Sequence, residues 1–309
     1  MSDFNRGTGL LVIEVRGSNP NGDPDAEGEP RTLGADRRGL ISPVSFKRKL
    51  RDLVADEGGP IWLKAKEALK LQSNGDGRSY GILETRGRNR DAISKMGRDP
   101  FIKAYWDARV FGNTFLESMK EENDDEDSNE KSKGAKGRSG EREHFISVGT
   151  VQFGPGVSIA PIDTEYQTWT NKAGVQEGKD RGMAPLAWRF VPHAVYVMPF
   201  FVNPIVARKS GCSASDIELM KFLIPFAYSA TASVARPDVV VLHAWYAEHK
   251  TPLGSCPDYH IIDAMTPKKR TDPDQSSRSI KEYEIPAELP KEVRERLVSF
   301  EDLCAKEWG

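Results

Sequence analysis

Residues 9–15 read GLLVIEV and residues 42–55 read SPVSFKRKLRDLVA. The first stretch is a short run of apolar and β-branched residues, which predicts a buried β-strand. In the second stretch, Ser42 supplies a helix N-cap and Pro43 a favourable first helical residue, so most of this stretch is predicted to be a helix. The chain therefore begins with a strand and a helix that are joined by the polar, turn-rich segment 16–39.

The predicted helix, residues 43–55, has two different faces at 100° per residue. Its apolar side chains share one face, and these are Phe46, Leu50, Leu53 and Val54. Its cations share another face, and these are Lys47, Arg48 and Arg51. Because the apolar face is expected to pack against the core, the three cations are expected to point away from it.

More cations precede this helix in the adjoining loop, and these are Arg31, Arg37 and Arg38. Six cations in one strand-to-helix unit suit a phosphate backbone, because guanidinium groups match phosphate oxygens and neutralised phosphates release counterions. We therefore predict RNA contacts at all six cations, together with Ser45 on the same helix. The alternative is a solvated surface helix that binds nothing.

Further elements are predicted outside this unit, namely strands at 144–153, 189–202 and 238–246 and a helix at 215–234. That helix opens with a capping box, Ser215 with Glu218, and is interrupted at Pro225. Without insertions the order is strand, helix, strand, strand, helix, strand, which is the ferredoxin-like order that RNA-recognition modules share. Other segments are predicted as helices at 61–71, at 101–116 and from 288 onward, and as a short strand at 259–264.

A hairpin is predicted between Pro161 and Pro185, because a TEYQTWT run is followed by turn residues. It interleaves aromatic and cationic residues, a combination that stacks bases and holds phosphates of single strands. The predicted RNA contacts are Tyr166, Trp169, Lys172 and Arg181. The alternative is a surface excursion with a buried tryptophan.

Composition excludes several classes of protein. The 309 residues contain three scattered cysteines and five scattered histidines, so neither a disulfide framework nor a zinc site is predicted, and no cofactor is expected. No apolar run of eighteen residues and no secretory signal layout appears, so a cytoplasmic protein without membrane contact is expected. The net charge is −2, and residues 121–127 are nearly all acidic. The stretch that follows, to Arg142, is rich in Lys, Gly, Ser and Arg and has no apolar periodicity, so the two together predict a disordered insertion.

The loop after the first strand alternates oxygen-bearing side chains, as calcium loops do. These are Asn19, Asn21, Asp23, Asp25 and Glu27. Interrupting prolines and the missing terminal glutamate depart from the calcium-loop pattern, so no metal site is predicted. No nucleophile elbow is present, and catalysis is not predicted.

Several motifs resemble one family in the same order along the chain. They are SNPNGDPD (18–25), PR (30–31), GLIS (39–42), FKRKLRD (46–52), YWDARVFG (105–112), VQFGPGVSIAPI (151–162) and FVPHAVYVMPFFVNP (190–204). They resemble the backbone subunit of type I-C CRISPR surveillance complexes, the Csd-type Cascade proteins of the RAMP superfamily. Together they cover most of the chain.

The resemblance implies an α+β fold, with one elaborated RRM-like (ferredoxin-like) palm, helical insertions and a thumb hairpin across residues 1–309. The implied parts are the palm core (8–56, 144–160 and 187–265), a helical insertion (60–116), the charged insertion (117–143), the thumb (161–186) and a C-terminal extension (266–309). Lys47, Arg48 and Arg51 would face the phosphates of the guide crRNA.

The resemblance also implies a non-catalytic scaffold that polymerises with further copies of itself along the guide crRNA. Target DNA would be read by base pairing with the guide. Other partners would be the crRNA-processing, large and small Cascade subunits. Two other functions stay open: a plain interaction module, and a metal-dependent ribonuclease of the same superfamily that cleaves target RNA with a loop aspartate, at Asp23, Asp25 or Asp36.

Overall fold

A computed structural model describes residues 3–71, 77–85, 87–89, 92–93, 95–115, 145–171 and 184–305. Its strands are β1 (Gly7–Ser18), β2 (Gly22–Asp23), β3 (Glu29–Pro30), β4 (Thr32–Leu33), β5 (Arg38–Ile41), β6 (Gly112–Phe115), β7 (Phe145–Val148), β8 (Val151–Phe153), β9 (Gly156–Pro161), β10 (Glu165–Asn171), β11 (Ala184–Val202), β12 (Val239–His249), β13 (Lys268–Lys269), β14 (Tyr283–Glu284) and β15 (Leu297–Asp302). Its helices are α1 (Pro43–Ala55), α2 (Pro60–Ala68), α3 (Arg98–Ala104), α4 (Trp106–Phe111), α5 (Pro204–Ser210), α6 (Ala214–Leu223), α7 (Asp258–Met265) and α8 (Lys291–Arg294).

Strand β1 lies near the centre of the main sheet and pairs antiparallel with β11 on one side and β12 on the other. The buried strand predicted at 9–15 is confirmed, and it is longer at both ends. Gly7 lies in the added part of the strand and Gly9 in the predicted part, and no larger side chain fits at either position. A Cβ atom on Gly7 would lie 2.1 Å from the Tyr246 hydroxyl, and one on Gly9 would lie 2.1 Å from the Phe200 ring.

Among the described residues the main sheet has nine strands, seven of them in the order β15-β12-β1-β11-β9-β5-β4, with β8 and β10 also paired to β11. An order of strand, helix, strand, strand, helix, strand is present as β1, α1, β9, β11, α6 and β12, but its third element is β9 and not the strand predicted at 144–153. Those four strands are adjacent in the sheet and antiparallel to their neighbours. The α+β class predicted from the sequence is confirmed.

The two faces of the sheet are covered by different parts of the chain, because successive side chains of a strand point to opposite faces. Leu11 and Ile13 of β1 belong to the core that includes Phe46 of α1 and Met220 of α6. Leu10 and Val12 belong to a second core that includes residues of α7, β14 and α8. Both faces of β1 are therefore buried, and the segment after β12 covers the face without α1 and α6.

The C-terminal predictions are wrong in two places. Residues 258–265 form α7 where a strand was predicted, and the spacing of buried Ile261 and Met265 on one helical face explains the helix. The predicted tail helix is only the short α8, after which β15 pairs with β12, with Ala247 opposite Phe300. Sheet pairing with a distant strand outweighs the local helix propensity of this segment.

Three further boundaries differ from the predictions. The helix predicted at 101–116 is split into α3 and α4, and Gly112, with φ of +80°, ends it before β6. The strand predicted at 144–153 is two strands, β7 and β8, of which β7 pairs with β6. The capping box of α6 is formed by Ser213 and Asp216, not by Ser215 and Glu218, and the helix ends before Pro225. The charged insertion at 117–143 lies outside the described residues.

In the part of the chain that the structure describes, no helix combines the length and the apolar character needed to cross a membrane.

Candidate nucleic-acid interface

Helix α1 has the bounds predicted from its sequence, and its start is fixed from two sides. The Ser42 hydroxyl accepts a hydrogen bond from the Ser45 amide at 3.2 Å, as an N-cap does. The Asn21 side chain accepts a hydrogen bond from the Ser42 amide at 2.7 Å. Phe46 and Leu50 are fully buried in the core. The loop after β1 therefore sets the position of the helix that carries the candidate phosphate contacts.

The prediction that Arg51 points away from the core is wrong. Its side chain is 11% exposed, and its Nε donates a hydrogen bond to the Asp107 carboxylate at 2.8 Å. The Arg51 guanidinium also lies 5.3 Å from the centre of the Phe111 ring. Because α4 brings both partners to this flank of α1, Arg51 joins two helices and does not face solvent.

Three consecutive cations instead surround the exposed side of α1. Lys47 lies on the Phe111 flank, with its ammonium 5.6 Å from that ring, and burial and the nearby Arg51 lower its pKa. Arg48 is the exposed member and pairs with Asp52 at 2.7 Å. Lys49 lies on the opposite flank and is 7% exposed.

Lys49 was missed because it flanks the apolar stripe on the side away from Lys47. At 100° per residue the sequence already places Lys47, Arg48 and Lys49 across 200° of the helix surface. Counting every cation of FKRKLRD, rather than one face, would have included it.

The loop cations Arg31, Arg37 and Arg38 differ in their surroundings. Arg31 pairs with Asp23 at 3.2 Å. Arg38 pairs with Asp36 at 3.2 Å and also donates to backbone carbonyls of β9. Arg37 is exposed and has a φ of +52°, at the turn between β4 and β5. Arg37 is therefore the exposed one of the three, while the other two also hold the loop in place.

The oxygen-rich loop is held by its own side chains. The Asn19 amide nitrogen donates to the Gly28 carbonyl at 2.7 Å and to the Arg189 carbonyl at 3.0 Å. The Asp23 carboxylate accepts from the Asp25 amide at 3.1 Å and caps a short 3₁₀ turn. Within residues 3–305, apart from the undescribed gaps, no cluster of three or more histidine, cysteine or acidic side chains is arranged to hold a metal.

The predicted hairpin contains β10 and the first part of β11, in which Tyr166 lies opposite Arg189. Tyr166 is 61% exposed, and its hydroxyl donates to Glu29 at 2.8 Å. The Arg189 guanidinium lies 5.5 Å from the Tyr166 ring centre and pairs with Glu27 at 2.5 Å. The base of the hairpin is thus fastened to the loop after β1.

The other predicted hairpin contacts are less fully described. The backbone of Trp169 lies in β10 opposite Leu186, and its side chain is not described. Lys172 and Arg181 lie outside the described residues.

The sheet face opposite α1 and α6 is closed. RNA-recognition modules stack bases on an open sheet face. Here Val12 and Val195 on that face are fully buried under the segment after β12. The same layer encloses His193, whose pKa is lowered by burial although its Nε2 lies 3.3 Å from Glu14. Bases cannot stack there, which leaves the helix side and the sheet edges for a ligand.

The fold and this surface define an α+β protein that carries lysines without carboxylate partners, among the described residues, on both flanks of one helix. Such a surface suits a polyanion. The chain belongs to the CRISPR-associated protein Cas7 family, whose model matches residues 5–288. The family predicted from the sequence motifs is confirmed, and the subtype stays a prediction.

One curated relative is a CRISPR-associated protein Cas7 of Haloferax volcanii, 28% identical over 229 residues. That match covers 72% of this chain and 64% of the relative, so the chain spans less than two thirds of that protein's length.

Two solved structures titled as CRISPR RNA-guided surveillance complexes, one of them pre-nicking, each cover 79% of this chain. Their TM-scores are 0.40 and 0.44 at 13% and 15% identity, over 69% and 78% of those chains. A Type III-B Cmr-beta complex bound to cognate target RNA has a TM-score of 0.32 at 10% identity, covering 68% of this chain and 51% of that chain. At these TM-scores the solved structures add nothing to the family assignment.

Proposed function

We propose that this protein is a non-catalytic, crRNA-binding backbone subunit of a type I CRISPR surveillance complex, of subtype I-C. Further copies of the chain would assemble along one guide crRNA, together with crRNA-processing, large and small subunits, and target DNA would be bound through pairing with the guide. The observation that supports this most is the pair of lysines on the flanks of α1, Lys47 and Lys49, for which no described carboxylate lies within ion-pairing distance.

Deeply placed cations elsewhere in the chain do have such partners. Arg51 pairs with Asp107, and Arg109 pairs with Asp216 at 2.8 Å. Lys221 pairs with Glu218 at 2.8 Å and with Glu301 at 2.9 Å. Because a buried charge without a counter-charge is costly, Lys47 and Lys49 are suited to meet phosphates that arrive with a ligand.

The proposed palm is RRM-like in the order and pairing of β12, β1, β11 and β9, with α1 and α6 on one face. It differs in where RNA binds, because the sheet face is closed and the helix side carries the cations. We extend the proposal to the division of the chain into palm, insertions, thumb hairpin and C-terminal extension given by the resemblance.

The proposal that the protein is non-catalytic is supported by the engagement of its loop aspartates. Asp23 caps a turn and pairs with Arg31, and Asp36 pairs with Arg38. An aspartate that served a catalytic metal would need further ligands around it. Asp25 is exposed and is the aspartate to test most closely.

Purification from cells that express a CRISPR array tests the proposal directly. We expect the protein to co-purify with RNA of uniform length, seen as a high ratio of absorbance at 260 to 280 nm and as one band on a denaturing gel. Protein free of RNA would contradict it. The assembly is then incubated with labelled complementary RNA and Mg²⁺, and we expect no cleavage. Cleavage that is lost on Asp→Ala substitution at position 23, 25 or 36 would establish the ribonuclease instead.

A further inference from the structure

The oxygen-rich loop after β1 is fastened to the first turn of α1. The Asn21 side-chain oxygen accepts a hydrogen bond from the amide of Ser42, the N-cap of that helix, at 2.7 Å. The Asn21 carbonyl accepts from the Arg31 amide at 3.0 Å, and the Arg31 carbonyl accepts from the Leu40 amide at 2.7 Å. The loop and the strand that leads into α1 are therefore held together at several points.

The same loop is also fastened to the hairpin of β10 and β11. The Asn19 amide nitrogen donates to the Arg189 carbonyl at 3.0 Å. The Arg189 guanidinium in turn donates to the Glu27 carbonyl at 2.6 Å and to the Glu27 carboxylate at 2.5 Å. It also lies 5.5 Å from the ring of Tyr166, whose hydroxyl donates to Glu29 at 2.8 Å. Because Arg189 of β11 lies opposite Tyr166 of β10, both strands of the hairpin are held.

Glu27 has a strained backbone conformation. Its φ is +51°, in the left-handed region, and Gly28 follows with a φ of +80°. This region is unfavourable for a residue with a Cβ atom, whereas glycine adopts it readily. Strain of this kind persists only where the surrounding contacts impose it, and it is often found at functional positions. Here the contact is with Arg189, because the carbonyl and the carboxylate of Glu27 both accept its hydrogen bonds.

The base of the hairpin is also held by the loop before β14. Arg278 of that loop pairs with Asp163 at 3.2 Å and with Glu165 at 3.6 Å. Residues 184–190 of β11 pair with β10, and residues 191–202 pair with β1. The contacts of both loops therefore lie where the hairpin leaves the sheet, and they set the direction in which it leaves.

We propose that the oxygen-rich loop is a positioning element, which fixes the hairpin of β10 and β11 relative to the first turn of α1. Glu27 and Asn21 are its positioning residues. Glu27 holds the hairpin through Arg189, and Asn21 holds the N-cap of α1. Because both ends belong to one short loop, the hairpin and α1 are presented to a ligand in a fixed relation. That relation rests on these contacts, whereas its use in RNA binding rests on the proposed function.

The first test measures the distance between the hairpin and α1 with two spin labels on the purified chain without RNA. The labels are attached at Val44→Cys, the exposed second residue of α1, and at Thr168→Cys, an exposed residue of β10. The partly exposed Cys256 and Cys304 are replaced by serine, and the buried Cys212 stays. Double electron–electron resonance should give one narrow distribution of distances. A broad distribution in this protein would overturn the proposal.

Three substitutions in the labelled protein cut the link at different points. We expect Glu27→Gln and Arg189→Gln, at the hairpin, and Asn21→Ala, at α1, each to broaden the distribution. Arg294→Gln, which removes an exposed cation of α8, should leave it narrow. The midpoint of urea unfolding should stay close to that of the wild type for Glu27→Gln, because an exposed ion pair contributes little to global stability. An equally narrow distribution in all four variants would overturn the positioning role.

The second test uses the sign of a change in RNA affinity. Glu27→Gln removes a negative charge, so electrostatics alone predicts tighter binding of a labelled single-stranded RNA. A positioning role predicts the opposite, and we expect binding about threefold weaker, the effect of losing one exposed ion pair. Glu57→Gln is the matched control, because Glu57 is an exposed acid after α1 with no ion pair in the described part of the chain. It should bind at least as tightly as the wild type.

The two tests separate the positioning role from the proposed function. Unchanged or tighter RNA binding by Glu27→Gln, together with an unchanged distance distribution, would overturn the positioning role and leave the proposed function intact. A wild type that binds no RNA, with distributions that broaden as expected, would support the positioning role and overturn the proposed function.

Discussion

Two cationic regions of this chain, the buried Arg109 and the flanks of α1 with Lys47 and Lys49, are paired to very different degrees. Arg109 is fully buried, and all five of its N–H groups are used. They donate to both oxygens of Asp216 at 3.0 and 2.8 Å and to the carbonyls of Ile102, Lys103 and Ser79. Lys47 and Lys49, by contrast, have no described carboxylate within ion-pairing distance.

The contrast separates two uses of buried charge. The Arg109 site joins α3, α4 and α6, and it is complete without any ligand. The flanks of α1 carry Lys47 and Lys49 without described carboxylate partners, so under the proposed function they serve binding more than the stability of the free chain. Substitutions at the first site should change unfolding, and substitutions at the second should change RNA affinity.

The largest expected effect is at Arg109. Arg109→Met should lower the free energy of unfolding by about 3–5 kcal/mol, because it removes the fully buried partner of the Asp216 carboxylate and leaves Arg78, at 3.5 Å, as its described counter-charge. Urea denaturation followed by circular dichroism measures this. Adding Asp216→Asn should recover part of the loss. A loss below about 1 kcal/mol would show that the two sites do not differ in the way proposed.

A smaller effect is expected at Arg51, which tests the contrast within α1 itself. Arg51→Met should lower the free energy of unfolding by about 1–3 kcal/mol, because Asp107 is left with only the Leu83 and Glu84 amides, at 2.7 and 3.1 Å. Affinity for a labelled single-stranded RNA, measured by titration, should stay within about twofold of the wild type. A tenfold loss of affinity with unchanged unfolding would restore Arg51 as a phosphate contact.

Arg51 also shows what could be predicted from the sequence and what could not. The bounds of α1 and the presence of the first strand follow from local periodicity and caps, and they were predicted. Strand β9 was not predicted, because the third strand was placed at 144–153. The orientation of Arg51 depends on Asp107, which lies 56 residues away and enters only through folding. Residue types on a helix can be read locally, but their partners cannot.

The tail illustrates the same limit for secondary structure. The segment from residue 288 onward has a charged composition that predicts a helix, yet its residues 297–302 form β15 because they pair with β12. Nothing within the segment itself indicates that pairing.

A third expected effect concerns pH at Asp258, another paired carboxylate. Burial alone would raise the pKa of Asp258, but hydrogen bonds from His249, Arg6 and Thr8 outweigh it and hold the pKa well below its usual range. Asp258→Asn should therefore cost about 1–2 kcal/mol at pH 7. Because the folded-state pKa is depressed, this stabilisation is complete above about pH 4, the ordinary value for aspartate, and is lost as the pH falls further. Urea unfolding of both proteins between pH 2.5 and 7 should show curves that converge in acid; a constant gap would contradict the ion pair.

The smallest expected effect is at Arg48, the exposed cation between Lys47 and Lys49 on α1. Arg48→Gln should change the free energy of unfolding by less than about 0.5 kcal/mol, because the pair with Asp52 is exposed. RNA affinity should fall about threefold at 0.1 M salt and much less at 1 M, where the Debye length is only about 3 Å.

That loss has two possible origins, because removing Arg48 also frees Asp52 to oppose Lys49. The double variant Arg48→Gln with Asp52→Asn separates them, since it removes both charges and leaves the net charge unchanged. If Arg48 acts only by neutralising Asp52, the double variant should bind as the wild type does. Because Arg48 is exposed between Lys47 and Lys49, we expect the threefold loss to persist, which would make Arg48 a direct phosphate contact between the two flanks.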